Sequence, residues 1–557
     1  MTNPFFLYGL AFLTAFCSIS IELILCSKIS QLLYEGIFTY SLCVGLFILC
    51  MGLGSFRQYK KNLKSKEEIL NAFFRVEIYM TILVGISLIS IDSIYSLSKI
   101  TNFNALLSGV IFIIIIGFVT GQELPLLFSL VESLKIGHNV QRNMIFFDYL
   151  ASFFASLVFT FFIFPYWGNL KASIFISLLN FLILLYLGRL FIQTYQNSKR
   201  KILLICTPIG LCLFVCTLLN DKIENELLER NRSYYHNDRL VAKMNTPYQQ
   251  VLLFSSRIDE SISTYDIEKI ASSPQDYRIH LYLNGFRQFN NYLGVTNDAY
   301  HTYLMDSFIK TNPNIKKALI LGGGDGLPAR QLLQYDQVEK IDLVDLDEKW
   351  INFTQTNPIM RVNTQDSLNS PKIKLYYSDA FKWMNHSKKV YDLIIVDFPE
   401  GFNLATIRTV SVQFLNDLRR SLSRNGVIVI QDDFSKPPPE IIQQLLYNTG
   451  IKAKLSPLLG FKEYSNRTKD TVGQLALFKK ESVKKQYLQR FYNEYIHSES
   501  EMLDKYGHIK YKLGMKPSDD GYISFYDPII LSKIFRPIIL NRIHPYFKKI
   551  TEYESFL

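Results

Sequence analysis

Apolar stretches fill the first 220 residues of the chain, and they restrict its fold more than any other feature. Each stretch is close to the ~20 apolar residues that a helix needs to cross a bilayer. There are seven: Pro4 to Cys26, Ile37 to Phe56, Val76 to Leu97, Ala105 to Ser133, Met144 to Trp167, Lys171 to Thr194 and Ile202 to Leu219. Since helices satisfy their own backbone hydrogen bonds in lipid, the pattern predicts an integral membrane helical domain over residues 1–220.

The net charge of +11 is the feature that could suggest a nucleic-acid partner. The clearest basic clusters, Arg57 to Lys66 and Lys199 to Lys201, lie beside predicted spans, however. Positive charge next to a span is typical of a loop retained on the cytoplasmic side. We therefore expect the lipid bilayer as a partner and no nucleic acid.

The number of spans decides on which side of the membrane the rest of the chain lies. With the basic loops in the cytoplasm, seven spans would leave everything after Leu219 outside, although a nucleotide-like substrate is normally supplied from the cytosol. We expect a break in the long Ala105 to Ser133 stretch, at Thr120 to Pro125, to alter the count. We therefore expect the part of the chain after Leu219 on the cytoplasmic side of the membrane.

Four acidic residues, Glu22, Asp92, Glu123 and Asp148, lie within or at the ends of the apolar stretches. An ionised group there costs several kcal/mol unless it is paired or lines a polar cavity. A substrate path and a purely structural pairing both remain open for them.

All seven cysteines lie in the predicted spans. The remainder of the chain therefore has no cysteine nucleophile and no thiolate metal site. None of the eight histidines forms a pair at metal-ligand spacing. We predict no metal.

The segment from Ala318 to Trp350 has the pattern of a nucleotide site. Apolar residues from Ala318 to Leu321 indicate a buried strand, Gly322, Gly323 and Gly324 allow a tight turn, and helical spacing follows. Asp345 ends a second strand about 20 residues beyond the glycines, where an acid commonly binds ribose hydroxyls. Asp325 within the turn would repel a pyrophosphate, so the pattern favours a cationic sulfonium ligand over NAD.

Polar residues end the later strands in the same way. Because carboxyl ends of parallel strands meet at one edge, we expect Asp345, Asp379, Asp397 and Gln431 to converge. A helix N-cap is the alternative role for each acid. The predicted domains are a connector at 221–242, a small antiparallel β subdomain at 243–296, an α/β Rossmann-like domain of the S-adenosylmethionine-dependent transferase type at 297–478, and a basic, aromatic extension at 479–557 without chemistry.

Several motifs in the second half of the chain resemble those of the spermidine synthase family of aminopropyltransferases, and the whole chain resembles its membrane-bound bacterial members. The matching segments are Thr246 to Gln249 for SPYQ, Leu283 to Gln288 for LDGxxQ, Gly322 to Gly326 for GGGDG, Val344 to Asp347 for VEID, Ser378 to Ala380 for GD(A/G) and Tyr391 to Asp397 for YDxIIxD, with Gly121 to Pro125 and Phe164 to Gly168 resembling membrane-bound members.

This resemblance implies a role for each matched residue. Gln249 and Gln288 would contact the methionine part of the ligand, Asp325 its α-amine and Asp345 the ribose. Asp379, followed by Ala380, would contact the adenine amino group. The substrate would be S-adenosylmethionine or its decarboxylated form, with no further cofactor. A homo-oligomer through either domain is left open.

The departures from the family pattern concern the acceptor side. The family segment DExxYHE appears as Thr296 to Thr302, in which Tyr300 and His301 survive and Asp298 is the one acid. The DSSDP loop appears as Asp397 to Gly401, with Glu400 in place of its second acid, and the tyrosine of LYSxxFY is missing. Losing such partners would forfeit several kcal/mol of binding to a dication.

These departures favour a lyase, in which the carboxylate of S-adenosylmethionine attacks its own propyl carbon, giving homoserine lactone and 5'-methylthioadenosine. Asp325 and Asp397 would hold the folded substrate and Glu400 would shape the loop. In the alternative, aminopropyl transfer from decarboxylated S-adenosylmethionine to a polyamine, Asp397 would be the base. A methyltransferase and a ligand-sensing domain that regulates a transporter are the remaining alternatives.

Overall fold

The computed structural model describes residues 4–33, 37–61, 63, 65–101, 105–134, 139–194, 199–232, 238–258, 266–284, 286–292, 305, 308–310, 312–398, 411–432, 448–464, 470–491 and 511–513. Two compact units divide the chain. The first comprises residues 1–260 with 280–287, and the second comprises residues 261–279 with 288–557.

The first unit is built mainly of helices. They are α1 (Pro4–Leu33), α2 (Ile37–Lys60), α3 (Lys66–Thr101), α4 (Ala105–Thr120), α5 (Glu123–Ser133), α6 (Asn139–Val158), α7 (Phe164–Thr194), α8 (Lys199–Leu218) and α9 (Asn220–Arg232). A π-helical turn, Phe159–Ile163, joins α6 to α7. Buried apolar side chains of α1 to α8 and of the π-helical turn form the core of this unit.

Six apolar helical runs in the described part of the chain are long enough to cross a membrane, instead of the seven predicted. The fifth run, Asn139–Ile192, has 54 residues and contains two of the predicted spans. At 1.5 Å per residue it is about 80 Å long, more than twice the ~30 Å bilayer core, and Gly168 has non-helical dihedral angles inside it. A break near Pro125 is present, because α4 ends at Thr120 and α5 begins at Glu123, but it does not alter the count as predicted, since Leu107–Ser133 is still one apolar run.

Glycines allow α2 to approach the broken helix closely. A Cβ atom on Gly54 would lie 2.0 Å from the carbonyl oxygen of Phe118, and one on Gly121 would lie 2.0 Å from that of Met51. Packing of this kind is typical of membrane helices, where small residues let two backbones meet.

Asp92 has the partners expected if its role is a purely structural pairing. Lys28 Nζ lies 2.5 Å from its Oδ1, and Asn231 Nδ2 donates to the same oxygen at 3.1 Å. This acid therefore ties α1, α3 and α9 together, and nothing further is needed to explain it.

The segment predicted as a connector at 221–242 is largely regular structure. Helix α9 covers most of it, supported by an i,i+4 pair between Glu226 and Arg230 at 2.9 Å, and the first strand begins at Arg239. The following strands form a small sheet in the order β1-β2-β3-β4. Their bounds are β1 (Arg239–Asn245), β2 (Gln250–Arg257), β3 (Tyr277–Leu283) and β4 (Phe286–Tyr292), with β1 and β2 antiparallel.

The second unit has an eight-stranded mixed sheet. Its strands are β5 (Lys317–Gly322), β6 (Lys340–Asp345), β7 (Ile373–Tyr377), β8 (Tyr391–Asp397), β9 (Leu422–Asp432), β10 (Ser456–Tyr464), β11 (Asp470–Phe478) and β12 (Tyr511–Leu513). Its helices are α10 (Ile267–Ser272), α11 (Leu327–Leu333), α12 (Glu348–Thr356), α13 (Pro358–Thr364), α14 (Ala380–His386), α15 (Val412–Arg420) and α16 (Glu481–Phe491).

The order of this sheet is β12-β10-β11-β9-β8-β5-β6-β7, with β5 to β9 parallel and the other strands antiparallel. Alternate residues of β5 belong to two separate cores, Leu319 and Leu321 to one and Ala318 and Ile320 to the other. Burial on both faces explains why the central strands are apolar throughout. The strand order reverses between β5 and β8, which is where such sheets bind ligands. The predicted Rossmann-like fold is confirmed.

The packing of α2 can be tested by adding one methyl group. We expect Gly54→Ala to lower the free energy of unfolding by about 1–3 kcal/mol, because the new Cβ would overlap a backbone oxygen of α4. Gly52→Ala is the matched control, since no atom lies within 4 Å of its Cβ position. Thermal unfolding of the full chain in detergent, followed by circular dichroism, measures both. Equal melting temperatures for the two variants would contradict this packing.

Candidate active site

The glycine turn after β5 lies directly against the end of β8. Gly322 pairs in register with Asp397, and the N–H of Gly323 donates to the Asp397 carbonyl at 3.2 Å. A Cβ on Gly322 would lie only 2.0 Å from that carbonyl oxygen, and its φ is +83°. Both facts require glycine here. The turn thus brings its backbone to the carboxyl end of the neighbouring strand.

Asp325 lies at the end of the turn, half-buried, just before α11. Its Oδ1 accepts a hydrogen bond from the N–H of Leu327 at 3.0 Å. The carboxylate of Asp325 is therefore held by a backbone N–H at the first residue of α11.

Asp345 links the second strand to the turn. Its Oδ2 accepts from the N–H of Gly324 at 3.1 Å, and its Oδ1 accepts from the N–H of Asp347 at 2.9 Å. Burial raises the pKa of Asp345 to about 6, although these two N–H groups favour the charged form. Each carboxylate oxygen has two acceptor sites, so the two bonds leave acceptor capacity for a hydroxyl donor.

Asp379 is the N-cap of α14. Its Oδ1 accepts from the N–H of Lys382 at 2.9 Å, and Ala380, the first helical residue, is buried. Asp347 caps α12 in the same way, through Trp350 at 3.2 Å. The N-cap role considered as an alternative therefore applies to Asp379 but not to Asp345, whose partners lie on the glycine turn and on the residue two positions later.

The strand registers bring three of the predicted acids to one edge. Leu321 is level with Val344, and Gly322 is level with Asp397. Asp345 and Asp397 are therefore the last residues of β6 and β8, the two strands that flank β5. Asp379 follows β7, the next strand along. The edge formed by the carboxyl ends of these strands is therefore rich in carboxyl groups.

Strand β9 continues to Asp432, beyond its predicted end at Gln431, because it also pairs with β11 on its other side. The register aligns Val396 with Ile430, which sets the backbone of Gln431 level with Asp397. Gln431 thus lies at the predicted edge, within a strand that begins at Leu422 and ends one residue beyond Gln431.

The other predicted site residues do not belong to the strand ends of this sheet. Gln249 belongs to the first unit, where its N–H donates to Thr246 Oγ1 at 3.0 Å and its carbonyl accepts from the Thr246 N–H at 2.9 Å. Gln288 is half-buried on β4. Tyr300 and Glu400 lie outside the described residues, and so does Asp298.

Two hydroxyl groups that sequence reasoning missed hold the turn in place. Thr354 Oγ1 donates to the carbonyl of Gly324 at 2.9 Å, and Ser367 Oγ donates to that of Gly326 at 2.7 Å. They lie 30 and 41 residues further along the chain than their partners, so no local pattern indicated them. They stabilise the turn from α12 and from the short 3-10 helix Ser367–Asn369 that follows α13.

The chemistry of this edge suits a ligand with positive charge and hydroxyl groups. Carboxylates accept hydrogen bonds from hydroxyl and amine donors and attract a sulfonium. The same charges would repel a pyrophosphate, as the sequence predicted.

Comparison with known proteins agrees with this geometry. Residues 297–454 match the family model described as the spermine/spermidine synthase domain. The polyamine aminopropyltransferase of Leptospira interrogans is 25% identical over 425 residues, which cover 76% of this chain and 78% of that protein. Polyamine aminopropyltransferase 2 of Aquifex aeolicus is 28% identical over 433 residues, covering 76% and 79%.

The alignments are longer than the part of the chain after residue 220, so they include part of the helical unit. Among solved structures, spermidine synthase from Thermotoga maritima is similar with 18% identity and a TM-score of 0.36, over 53% of this chain and 87% of that one. The sequence matches confirm the resemblance inferred from the motifs.

The glycine turn predicts different effects for two neighbouring substitutions. Gly322→Ala should destabilise the protein by several kcal/mol, because it combines a left-handed φ with overlap of a backbone oxygen. Gly324→Ala lacks the φ penalty and meets side chains, Asp345 Oδ2 at 2.7 Å and Trp350 Cδ1 at 2.8 Å, so it should cost less stability. Urea unfolding of the full chain, followed by tryptophan fluorescence, compares them. A larger loss for Gly324→Ala would contradict the geometry.

Proposed function

We propose that this spermidine synthase-like chain transfers the aminopropyl group of decarboxylated S-adenosylmethionine to an amine and releases methylthioadenosine. The observation that carries the proposal is the carboxyl-rich edge beside the Gly322 turn, in a domain that matches the spermine/spermidine synthase model. The relatives named polyamine aminopropyltransferase support this reading better than the lyase that the sequence favoured.

The nucleoside side of the site uses Asp345 as the ribose acceptor. The two backbone N–H groups hold its carboxylate in one orientation, so no side-chain freedom is lost when ribose hydroxyls donate to it. Asp325, held by the Leu327 N–H, would accept from the amine of the aminopropyl group. Asp379 and Ala380, at the start of α14, would receive the adenine.

The reaction depends more on positioning the two reactants than on activating the leaving group, because the sulfonium sulfur already leaves readily. The lone pair of the acceptor nitrogen attacks the propyl carbon, the carbon–sulfur bond breaks, and its electron pair stays on sulfur. Neutral methylthioadenosine leaves, and the positive charge moves to the acceptor nitrogen. Asp397, half-buried at the end of β8, takes the proton from that nitrogen. Holding both reactants in line can contribute up to ~7–11 kcal/mol.

The acceptor side remains a prediction from the motifs. Tyr300 would contact the acceptor amine, and Glu400 would replace the acid that the family has in the loop after Asp397. The acceptor is a small amine of the polyamine class. The helical unit, with its six apolar runs, supports membrane insertion, and we propose the bacterial inner membrane with the catalytic domain in the cytoplasm.

The products distinguish the candidate reactions. Purified full-length protein should release methylthioadenosine only when both decarboxylated S-adenosylmethionine and putrescine are present, with spermidine as the second product in mass spectrometry. Asp397→Asn should lower the rate at least ~100-fold by removing the base. Asp336→Asn is the control, because Asp336 is exposed in the turn before β6, at the opposite edge of the sheet.

Methylthioadenosine and homoserine lactone from S-adenosylmethionine alone would instead establish the lyase. S-adenosylhomocysteine as product would establish a methyltransferase. Intact substrate under every condition would leave the sensory domain of a transporter as the function.

The raised pKa of Asp345 predicts how nucleoside binding depends on pH. Ribose hydroxyls donate to the ionised form, so binding should be strongest above the pKa of about 6 and should weaken as the pH falls through it. Between pH 7 and pH 5 the affinity for methylthioadenosine should fall about tenfold. Calorimetry with the full chain measures this. Asp345→Asn should bind weakly without that pH dependence, whereas an unchanged profile in this variant would exclude Asp345 as the cause.

A further inference from the structure

Three polar side chains lie near mid-depth of the apolar helical runs of the first unit. Ser18 is near the middle of Phe5–Gln31, Glu77 lies inside Lys66–Ser96, and Glu123 lies inside Leu107–Ser133. Glu77 is not among the acids singled out from the sequence, and it is the second residue of the predicted span Val76 to Leu97. Helix α3 begins ten residues earlier, at Lys66, which sets Glu77 within the bundle.

The contacts of these groups leave one carboxylate without a partner. Ser18 Oγ donates to Glu123 Oε2 at 3.2 Å. Glu77 is fully buried, and neither of its carboxylate oxygens has a hydrogen-bond partner among the described residues. Helix α3 packs against α4 and α5, and α5 packs against α6, so the helices that carry Glu77, Glu123 and Asp148 are neighbours.

The helix break lies at the same place. Helix α4 ends at Thr120, whose Oγ1 is 3.4 Å from the sulfur of Met80 on α3, and Glu123 begins α5. A carboxylate in the first turn of a helix is stabilised by the helix dipole. Interrupted helices at mid-depth are the construction that membrane proteins use to bind ions and substrates.

The negative charge of these carboxylates requires a positively charged partner. An ionised carboxylate within an apolar bundle costs several kcal/mol unless it is paired, and Asp92 in the same unit has Lys28 at 2.5 Å. No such basic partner is found for Glu77 among the described residues. The described residues also contain no group of three or more acidic, histidine or cysteine side chains that could hold a metal ion.

We propose that Glu77, Glu123 and Ser18 bind an organic ammonium ion within the helical unit. A primary ammonium has three N–H donors and no acceptor, which matches two unpartnered carboxylate oxygens and a second carboxylate. Residues one turn further along the three helices, Ile21, Met80 and Leu127, are fully buried and apolar, so they suit the alkyl part of an amine. This site is separate from the nucleotide edge and does not rest on the proposed reaction.

Equilibrium dialysis of radiolabelled butylamine tests the site. The full chain is used in zwitterionic phosphatidylcholine nanodiscs, without any sulfonium donor. Glu77→Gln should lose one bound equivalent, or bind it at least tenfold more weakly, because an amide offers one acceptor and no charge. Glu22→Gln is the matched control, since Glu22 is a buried acid on α1 outside the three proposed residues. Asp397→Asn should retain the equivalent that Glu77→Gln loses, so the result is independent of the transfer reaction.

A measurement on the unaltered protein covers the case in which Glu77→Gln does not fold. A hydrophobic carbodiimide should modify Glu77 when no amine is present, and butylamine should protect Glu77 but not Glu22. Peptide mass spectrometry counts the N-acylurea and the butylamide together, because butylamine can capture an activated carboxyl group. Equal butylamine binding by the unaltered protein and Glu77→Gln would overturn the proposal. So would carbodiimide modification of Glu77 that butylamine does not change.

Discussion

The close contact between the glycine turn and the end of β8 is the constraint on which the catalytic unit depends. The Asp397 carbonyl occupies the space that a side chain on residue 322 would need, so β5 and β8 can be neighbours only with glycine there. That contact lies where the strand order reverses. It aligns Asp397 on one side of the turn, while the Gly324 N–H fixes Asp345 on the other.

The resulting edge combines low solvation with acidic groups, and this combination limits its ligands. Burial raises the pKa of Asp345, yet two backbone N–H groups stabilise the carboxylate that it becomes near neutral pH. A sulfonium nucleoside offers both the hydroxyl donors and the positive charge that such an edge needs. The family match agrees with this electrostatic argument, although the two rest on different observations.

Buried acids in the helical unit differ by their partners and not by their depth. Asp92 is neutralised by Lys28 and serves assembly, whereas Glu77 has no hydrogen-bond partner among the described residues and lies on α3, which packs against the helix that Glu123 begins. Small residues make that break possible, because Gly54 and Gly121 let α2 lie directly against α4 and α5. The close helix contacts and the buried acids therefore lie in the same region of the bundle.

The sequence by itself determined the order of elements, the glycine turn and the acids at the strand ends. A strand such as Ile373–Tyr377 follows from its neighbours in the chain, whereas the close contact that requires glycine at 322 is made by Asp397, which is distant in sequence. Only the tertiary structure decided which groups are paired. Thr354 supports a turn 30 residues away, the fifth apolar run contains two predicted spans, and Glu77 is enclosed by helices distant in sequence. The physical reason is that periodicity and backbone preference are local, whereas hydrogen-bond partners and burial depend on contacts between distant residues, which local patterns do not contain.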